Sequence, residues 1–274
     1  MEKYSVLMSL YIKEKPEYLD HSIQSMLNQT VTPDEIVIVK DGPLTKELEN
    51  VLGKYLKEYP EIVKTVVSEK NIGLGLALNL GLQHCKNELV ARMDTDDISL
   101  PDRCEKQLKA FGDKPDLDIL SGAIAEFIEQ ENNIVGRRKL PTSNIEIRNY
   151  LKKRCPMNHV AVMFKKSRVV AAGGYKDWYW NEDYYLWIRM FENNSIFGNL
   201  SGDLVNVRVG ANMYKRRGGI KYFKSEAKLQ KYMLDKGIIS PFYYVYNVML
   251  RFTLQVIMPN KMRGFVFKKF ARTQ

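Results

Sequence analysis

Apolar positions follow two alternating spacings through the first hundred residues. Short apolar runs predict strands over residues 5–10, 35–39, 63–67 and 89–93. Between them, apolar side chains at helical spacing predict helices over residues 16–29, 45–59 and 74–85. Strands that alternate with helices predict an α/β fold, with a mainly parallel sheet, right-handed crossovers and helices on both faces.

The pattern after residue 115 is less regular. Residues 118–128 predict one bent strand or two, with Ser121 and Gly122 as the break, and residues 160–164 predict another strand. A helical stripe of Leu186, Met190 and Phe191 predicts a further helix. No Ser/Gly-rich linker marks a domain boundary.

The fourth apolar run ends in three closely spaced carboxylates, Asp94, Asp96 and Asp97. Neighbouring carboxylates disfavour each other's ionised form, and a hard divalent cation such as Mg²⁺ or Mn²⁺ relieves that repulsion. An acidic loop that caps a helix starting near Pro101 is the alternative. In a parallel sheet, ligands bind at the edge formed by the carboxyl ends of the strands. Because the cluster follows a strand end, the metal–diphosphate interpretation is favoured. We assign Asp94 and Asp96 to that site and Asp97 to the helix cap.

Two further strand ends carry polar residues. Asp41, in Lys40-Asp41-Gly42-Pro43, is either an acceptor for a nucleobase N–H or a turn residue. Asn71-Ile72-Gly73 opens a predicted helix, where the backbone either approaches a phosphate or makes a simple tight turn. The glycine spacing is not that of a dinucleotide-binding fingerprint.

A second acidic pair, Glu182-Asp183, lies in a segment rich in aromatic residues. Aromatic faces pack against sugar rings, and a carboxylate beside them can act as a general base toward a hydroxyl. The alternative is a helix N-terminus capped by Asn181 or Asp183, and both can hold together. His159 is either structural or a contact to the acceptor.

Composition is that of an ordinary globular protein, with 45% hydrophobic and 27% charged residues. The three cysteines are far apart and form no CxxC pair, which argues against disulfides or a zinc site and fits a reducing cytosol. The net charge of +10 is concentrated in residues 208–274, which hold 15 Lys/Arg and 2 Asp/Glu. Such a segment favours phosphate-bearing partners.

The basic segment offers two kinds of contact. Arg208 and the run Lys215-Arg216-Arg217 either neutralise a diphosphate or form a solvated loop. Residues 242–258 contain one charge, Arg251, and fall short of the about 20 apolar residues of a spanning helix. With the cations that follow, they predict either a helix lying in the membrane interface or a helix packed on the main domain.

These segments together resemble the family 2 glycosyltransferases, which have the GT-A fold. The resemblance covers roughly residues 4–220 and depends on the order and spacing of its motifs, which are residues 5–11, Gln29-Thr30, Asp41, Asn71-Ile72-Gly73, residues 92–97 and Glu182-Asp183. The variant Lys40-Asp41-Gly42-Pro43 and the segment Pro156-Met157-Asn158-His159 look like the bacterial amylovoran, capsular and O-antigen branch. Ile12 and Lys40 depart from the common pattern, because many family members have Asn and Asp at these positions. With Lys40 beside Asp41 in place of a carboxylate, the contacts to the nucleobase stay open.

The resemblance implies a GT-A domain over residues 1–220, with a nucleotide-binding half (1–110) and an acceptor half (111–220). A basic amphipathic helical extension would follow over residues 221–274. It implies that Asp183 is the base that deprotonates the acceptor hydroxyl and that Asp94 and Asp96 are the DXD pair at the metal. The implied donor contacts are Ser9, Tyr11, Asp41 (to uracil), Asn71, Gly73, Arg92, Asp94, Thr95, Asp96 and Arg216. The implied acceptor contacts are His159, Trp180 and Glu182.

The implied reaction is inverting transfer of one sugar from a UDP-sugar, with Mn²⁺ or Mg²⁺, to a lipid-linked oligosaccharide. The enzyme would be cytoplasmic and peripheral on the inner face of the cell membrane, and no nucleic-acid partner is expected. Single-sugar transfer is expected because the Gln-x-x-Arg-Trp motif of processive synthases is absent from the sequence.

Two other functions are alternatives. A sugar nucleotidyltransferase would need a Gly-rich loop after the first strand, where residues 11–16 lack glycine. A basic nucleic-acid-binding protein would need a recognition motif, and none occurs in the sequence.

Overall fold

The computed structural model describes residues 2–210, 218–259 and 262. Within these residues the chain forms one nine-stranded sheet whose first half is parallel, in the order β3-β2-β1-β4. The four strands are β1 (Tyr4–Leu10), β2 (Glu35–Asp41), β3 (Val63–Ser68) and β4 (Leu89–Arg92). The helices between them are α1 (Pro16–Leu27), α2 (Lys46–Glu58) and α3 (Leu74–His84). The predicted alternation of strands and helices is confirmed.

Local chemistry sets the ends of these helices. Pro16 occupies the first turn of α1, where its missing N–H costs nothing. The Thr45 side chain accepts a hydrogen bond from the backbone N–H of Leu48 and so caps α2. These ends return the chain to the sheet so that the carboxyl ends of β1, β2 and β4 lie along one edge.

The second half of the sheet is mixed. Strand β8 (Met163–Lys165) is antiparallel to both β4 and β6 (Ile119–Phe127), and β9 (Phe197–Arg208) is parallel to β6. Two short antiparallel strands complete it, β5 (Ile98–Ser99) on β9 and β7 (Ile134–Arg138) on β6. The remaining helices are α4 (Arg103–Asp113), α5 (Asn144–Leu151), α6 (Lys166–Ala171), α7 (Glu182–Glu192), α8 (Ile220–Asp235) and α9 (Pro241–Phe252). A π-helical turn, Thr253–Ile257, extends α9.

A single strand, Ile119–Phe127, covers the segment for which one bent strand or two were predicted, and its register against β9 shifts between Gly122 and Ile124. Two other details of this half differ from the sequence prediction. The strand predicted over 160–164 begins as a 3₁₀ turn, His159–Ala161, because side chains hold it: Gln107 Nε2 donates to the carbonyl of Ala161 at 2.9 Å. Strands β5 and β7 were not predicted from the sequence, because β5 is too short and β7 too polar to show the apolar alternation of a strand.

The core forms two clusters, one on each face of the sheet. Along β1, Val6 and Met8 point to the cluster that contains α1 and α2, whereas Leu7 points to the cluster that contains α3 and α7. Alternation of side chains along a strand produces this division. The chain thus buries both faces of the sheet and leaves its carboxyl edge for the polar residues.

Two helical glycines provide a matched test of this packing. A Cβ at Gly81 on α3 would lie 2.5 Å from Leu7 Cδ1 and from Val39 Cγ2, whereas a Cβ at Gly53 on α2 meets nothing within 4 Å. Gly81→Ala should lower the free energy of unfolding by about 1–2 kcal/mol, because overpacking costs more than the helix gains. Gly53→Ala should raise it by about 0.5–1 kcal/mol. Urea denaturation measures both, and a change of the same sign in the two variants would contradict the packing described.

Candidate active site at the carboxyl edge of the sheet

Three carboxylates gather in the turn after β4. Ligand oxygens of Asp94, Asp96 and Asp97 lie within 4.8 Å of one another. Asp97 is buried and its Oδ1 accepts a hydrogen bond from the backbone N–H of Arg208 at 2.8 Å. The prediction that Asp97 caps the following helix is wrong, because α4 begins only at Arg103, after Asp102. The short strand β5 intervenes and keeps Asp97 in the cluster.

Full ionisation of the three carboxyl groups of the cluster is disfavoured in the absence of a cation. The buried Arg92 guanidinium pairs with the Asp94 carboxylate through two parallel hydrogen bonds. Burial and the neighbouring charges of Asp94 and Glu14 nevertheless raise the pKa of Asp96 to about 7. Burial and the charges of Asp96 and Asp94 raise the pKa of Asp97 well above its usual range. Crowded carboxylate oxygens with uncompensated charge fit a hard divalent cation such as Mg²⁺ or Mn²⁺.

Side chains from distant segments fix this turn. Ser22 Oγ on α1 donates to the Asp94 carbonyl at 2.6 Å, and Arg208 Nε donates to the Asp96 carbonyl at 3.1 Å. Thr95 Oγ1 donates to Glu14 Oε2 at 2.8 Å. Sequence reasoning did not find Glu14, because it lies in a polar loop after β1 that carries no motif. These side chains therefore hold the turn mainly through its backbone carbonyls. The Asp96 side chain stays in the acidic cluster.

The ends of β1 and β2 form the neighbouring part of the edge. Asp41 Oδ1 accepts from the Ile72 N–H at 2.7 Å, and Oδ2 accepts from Gly73 N at 3.2 Å and Asn71 Nδ2 at 3.0 Å. The expectation that Asp41 and Asn71 lie together at this edge of the sheet is thus confirmed. These contacts give Asp41 a structural role in holding the loop, and its contact with a base stays a prediction.

The residues predicted to line a nucleotide pocket from β1 lie at the same edge. Ser9 is half-buried and pairs in register with Val39 of β2. Tyr11 is exposed, and its carbonyl accepts from the N–H of Glu14 at 3.1 Å. The Tyr11–Glu14 turn thus links the β1 end to the residue that contacts Thr95.

The second acidic pair begins α7. Asp183 Oδ1 accepts a hydrogen bond from the Tyr184 N–H at 2.6 Å, and the Cys155 thiol donates to Oδ2 with Sγ at 3.6 Å. Burial raises the pKa of Asp183, and burial with the Asp183 charge raises the pKa of Glu182 to about 7. A Cβ at Gly75 would lie 3.1 Å from Glu182 Cβ, so the starts of α3 and α7 are in close contact.

Arg138 at the end of β7 is a site residue that sequence reasoning missed. Its guanidinium donates to Asn158 Oδ1 at 2.8 Å and to the Cys155 carbonyl at 2.7 Å. Its positive charge opposes the effect of burial and lowers the pKa of Asp183. The strand that carries it lacks apolar alternation, and only the adjacent pair Arg137-Arg138 could have drawn attention to it.

Two other residues predicted to contact the acceptor, Trp180 and His159, lie in different environments. Trp180 is about half exposed, adopts a positive φ of 56° and stacks on Tyr179 with ring centroids 4.8 Å apart. A bulky residue at positive φ is uncommon and is typical of strained functional loops. His159 Nε2 lies 2.9 Å from the Tyr175 hydroxyl, and burial with the Arg92 charge lowers the pKa of His159 well below its usual value. His159 is therefore neutral near pH 7.

The positive charge of Arg92 acts on both acidic groups, the cluster after β4 and the pair that begins α7. Besides pairing with Asp94, its charge lowers the pKa of Asp96 and of both Glu182 and Asp183. The charge of Arg92 thus acts on predicted residues of both sides, namely Asp94, Asp96, Glu182, Asp183 and His159. Arg216 lies outside the described residues. Arg208, from the same basic segment, is observed at the acidic cluster.

The sequence matches one family model and several characterised or inferred glycosyltransferases. The model described as glycosyl transferase family 2 matches residues 5–171. The amylovoran biosynthesis glycosyltransferase AmsE of Erwinia amylovora is 39% identical over 270 residues, 97% of this chain and 98% of the relative. The UDP-Gal:alpha-D-GlcNAc-diphosphoundecaprenol beta-1,3-galactosyltransferase of Escherichia coli is also 39% identical over 270 residues, 98% of this chain and 97% of the relative. An uncharacterized glycosyltransferase of Haemophilus influenzae is 43% identical over 270 residues, with 98% and 99% covered.

Solved structures share the architecture. S. aureus TarS 1-349 in complex with UDP-GlcNAc superposes with a TM-score of 0.68 at 17% identity, covering 97% of this chain and 76% of that one. The mannosyltransferase PcManGT from Pyrobaculum calidifontis in complex with GDP-Man and Mn²⁺ gives a TM-score of 0.66 at 14% identity, covering 96% and 72%. At these identities the likeness shows the fold alone, and the expected GT-A fold is confirmed. With the family model matching well over half of its length and relatives aligned from end to end, the chain belongs to glycosyl transferase family 2, and it is a sugar-transferring enzyme of the branch that includes amylovoran and O-antigen assembly.

Proposed function

We propose that the enzyme transfers one sugar, with inversion, from a UDP-sugar to a hydroxyl of a lipid-linked oligosaccharide. One arrangement carries the proposal: three carboxylates whose oxygens lie within 4.8 Å of one another, and a partly buried carboxylate in the first turn of α7, are both influenced by the charge of the buried Arg92, which pairs with Asp94. A donor diphosphate and an acceptor hydroxyl need these two environments side by side. The family comparisons give no support to nucleotidyl transfer or to nucleic-acid binding.

On the donor side, Asp94 and Asp96 would hold Mn²⁺ or Mg²⁺ together with the diphosphate of the UDP-sugar. When bound, such a cation neutralises charge that develops on the departing diphosphate. The role of the protein is to keep the carboxylates in place, which Ser22 and Arg208 do through the backbone of the turn. Ser9, Tyr11, Asp41, Asn71, Gly73 and Thr95 would line the nucleotide pocket, with Arg216 as a further diphosphate contact.

On the acceptor side, Asp183 would take the proton of the attacking hydroxyl. Burial raises its pKa, which makes the ionised carboxylate a stronger base than an exposed aspartate. The hydroxyl oxygen bonds to the anomeric carbon, the bond from that carbon to the diphosphate oxygen breaks, and the electron pair leaves with UDP. Attack opposite the leaving group inverts the anomeric configuration. Trp180, Glu182 and His159 would orient the acceptor.

The relatives motivate the choice of acceptor and location. The Escherichia coli relative is named for a GlcNAc-diphosphoundecaprenol acceptor and a UDP-Gal donor, and it aligns with 98% of this chain. A lipid diphosphate acceptor places the enzyme at a membrane surface, which we propose is the inner face of the cell membrane. The basic C-terminal segment, with 15 Lys/Arg against 2 Asp/Glu over residues 208–274, supports a peripheral attachment there.

Two substitutions separate donor binding from proton transfer. Asp183→Asn should lower transfer by about 10²–10⁴-fold because the base is lost, while UDP binding in Mn²⁺ is kept. Asp96→Asn should weaken UDP binding in Mn²⁺ because a carboxylate ligand is lost. The donor is found first by a thermal-shift screen of UDP-sugars, and transfer is then followed by UDP release with lipid-linked acceptor.

Asp102→Asn is the matched control, since this half-exposed aspartate forms a local ion pair with Lys106, with 2.7 Å between Oδ2 and Nζ. It should bind UDP and transfer sugar as the unsubstituted enzyme does. Full transfer by Asp183→Asn, or unchanged UDP binding by Asp96→Asn, would be incompatible with the assigned roles.

Arg138 should tune the basicity of Asp183. Its positive charge favours the ionised carboxylate, so Arg138→Gln should raise the pKa of Asp183 above its value in the unsubstituted enzyme. As the pH is lowered, the variant should then lose activity at a higher pH than the unsubstituted enzyme. Carboxyl ¹³C NMR titration of the metal-free protein measures the pKa directly.

Arg137→Gln provides the control, because Arg137 does not contact Asp183 in the structure and instead pairs with Asp203 of β9 at 2.8 Å. That substitution should leave the pKa of Asp183 unchanged. Equal shifts in the two variants would show that Arg138 has no specific influence on the base.

A further inference from the structure

Helix α9 has an inverted distribution of polar and apolar side chains. Its buried face consists of Asn247 and Arg251, continued by Gln255 in the π-helical turn, and Asn247 is only 2% exposed. Its outward face is apolar and aromatic, with Phe242 77% and Met249 59% exposed. A helix on a globular domain normally buries its apolar stripe and exposes its polar one.

The inward polar contacts fix the orientation of α9. Arg251 Nε donates to Glu226 Oε2 on α8 at 2.6 Å, and Arg251 Nη2 donates to the Lys153 carbonyl at 2.7 Å. Asn247 Nδ2 donates to Gln230 Oε1 at 2.8 Å and to the Lys152 carbonyl at 3.0 Å. Rotating the helix to hide its apolar face would leave the Glu226 and Arg251 charges without each other, which is costly.

The outward residues form a continuous patch. They lie at helical spacing along three turns and share one exposed face: Phe242, Val245, Tyr246 and Met249, with Leu250 beside them and Ile257 beyond. Isolated exposed apolar residues are ordinary, whereas a contiguous patch of this kind marks a surface that another apolar phase covers. Among the described residues, no helix is both long and apolar enough to cross a bilayer.

Charge decides which partner fits the patch. The exposed Lys153 lies beside it, with Nζ 5.9 Å from the Tyr243 ring centroid. Residues 208–274 hold 15 Lys/Arg against 2 Asp/Glu, so a second copy of this chain would bring like charges together. An anionic lipid surface offers both an apolar phase and complementary charge. We propose that the outward face of α9 lies in the interface of an anionic membrane.

Further hydrogen bonds connect α9, through α8, to the helix that carries the proposed base Asp183. Trp178 Nε1 donates to the Ser225 carbonyl on α8 at 3.2 Å, and Asn181 Nδ2 donates to Ser225 Oγ at 3.2 Å. Glu226, the next residue, holds Arg251 of α9. Asn181 precedes α7, which carries Asp183. The lipid-facing helix thus sets the height of the acceptor side above the membrane, an inference that rests on the proposed lipid-linked acceptor.

A vesicle assay tests the surface. The full chain is sedimented with phosphatidylcholine vesicles that contain or lack phosphatidylglycerol. The unsubstituted protein should bind the anionic vesicles more tightly, and added salt should weaken that binding. The triple variant Phe242→Ser, Tyr246→Ser, Met249→Ser should bind anionic vesicles at least about tenfold more weakly, because large apolar groups no longer leave water.

The control changes three exposed apolar residues elsewhere: Val67→Ser on β3, Ile145→Ser on α5 and Val170→Ser on α6. It should bind vesicles as the unsubstituted protein does, and both triple variants should bind UDP normally. Equal vesicle binding by the α9 variant, or equal loss in the control, would overturn the proposal. So would an unsubstituted dimer that binds no vesicles and becomes monomeric in the α9 variant, since a second copy would then cover the face. Vesicle binding without any UDP binding would instead count against the proposed function.

Discussion

The ion pair of the buried Arg92 with Asp94 is the interaction on which the site depends. Arg92 ends β4, and Arg103 of α4 donates to its carbonyl at 2.7 Å, so the strand end is locked from behind. The guanidinium is desolvated and is strongly held by its carboxylate partner. A charge buried in this way acts over a long range, because little water screens it. It therefore reaches both acidic groups of the site.

This arrangement explains why the acidic groups remain reactive. Arg92 offsets part of the negative charge of the cluster, but the pKa of Asp96 is still raised to about 7. The residual charge disfavours the empty site and favours a cation with a diphosphate. On the other side, burial raises the pKa of Asp183, and the charges of Arg138 and Arg92 oppose that rise, which favours the ionised form of this partly buried carboxylate. The proposed donor and acceptor sides thus share one electrostatic centre.

The sequence predicted those parts that follow from periodicity. Strand ends in a parallel half-sheet must meet, so Asp41 and Asn71 were correctly placed together. The role of Asp97 was predicted wrongly because β5 exists only through pairing with β9, more than 100 residues later. Arg138 was missed because β7 has no apolar alternation. The sequence also left open whether the tail packs or faces a membrane, since only the contacts of Glu226 and Gln230 determine which face of α9 turns inward.

In the proposed mechanism, the acidic cluster after β4 binds a divalent cation together with the diphosphate of the donor. Pulsed EPR of Mn²⁺ added to the protein with UDP tests it most directly, because ³¹P hyperfine couplings arise only when phosphate lies next to the ion. We expect bound Mn²⁺ with ³¹P couplings that disappear in the double variant Asp94→Asn, Asp96→Asn. UDP bound in the presence of Mn²⁺ without ³¹P couplings, or couplings that survive in that variant, would contradict it.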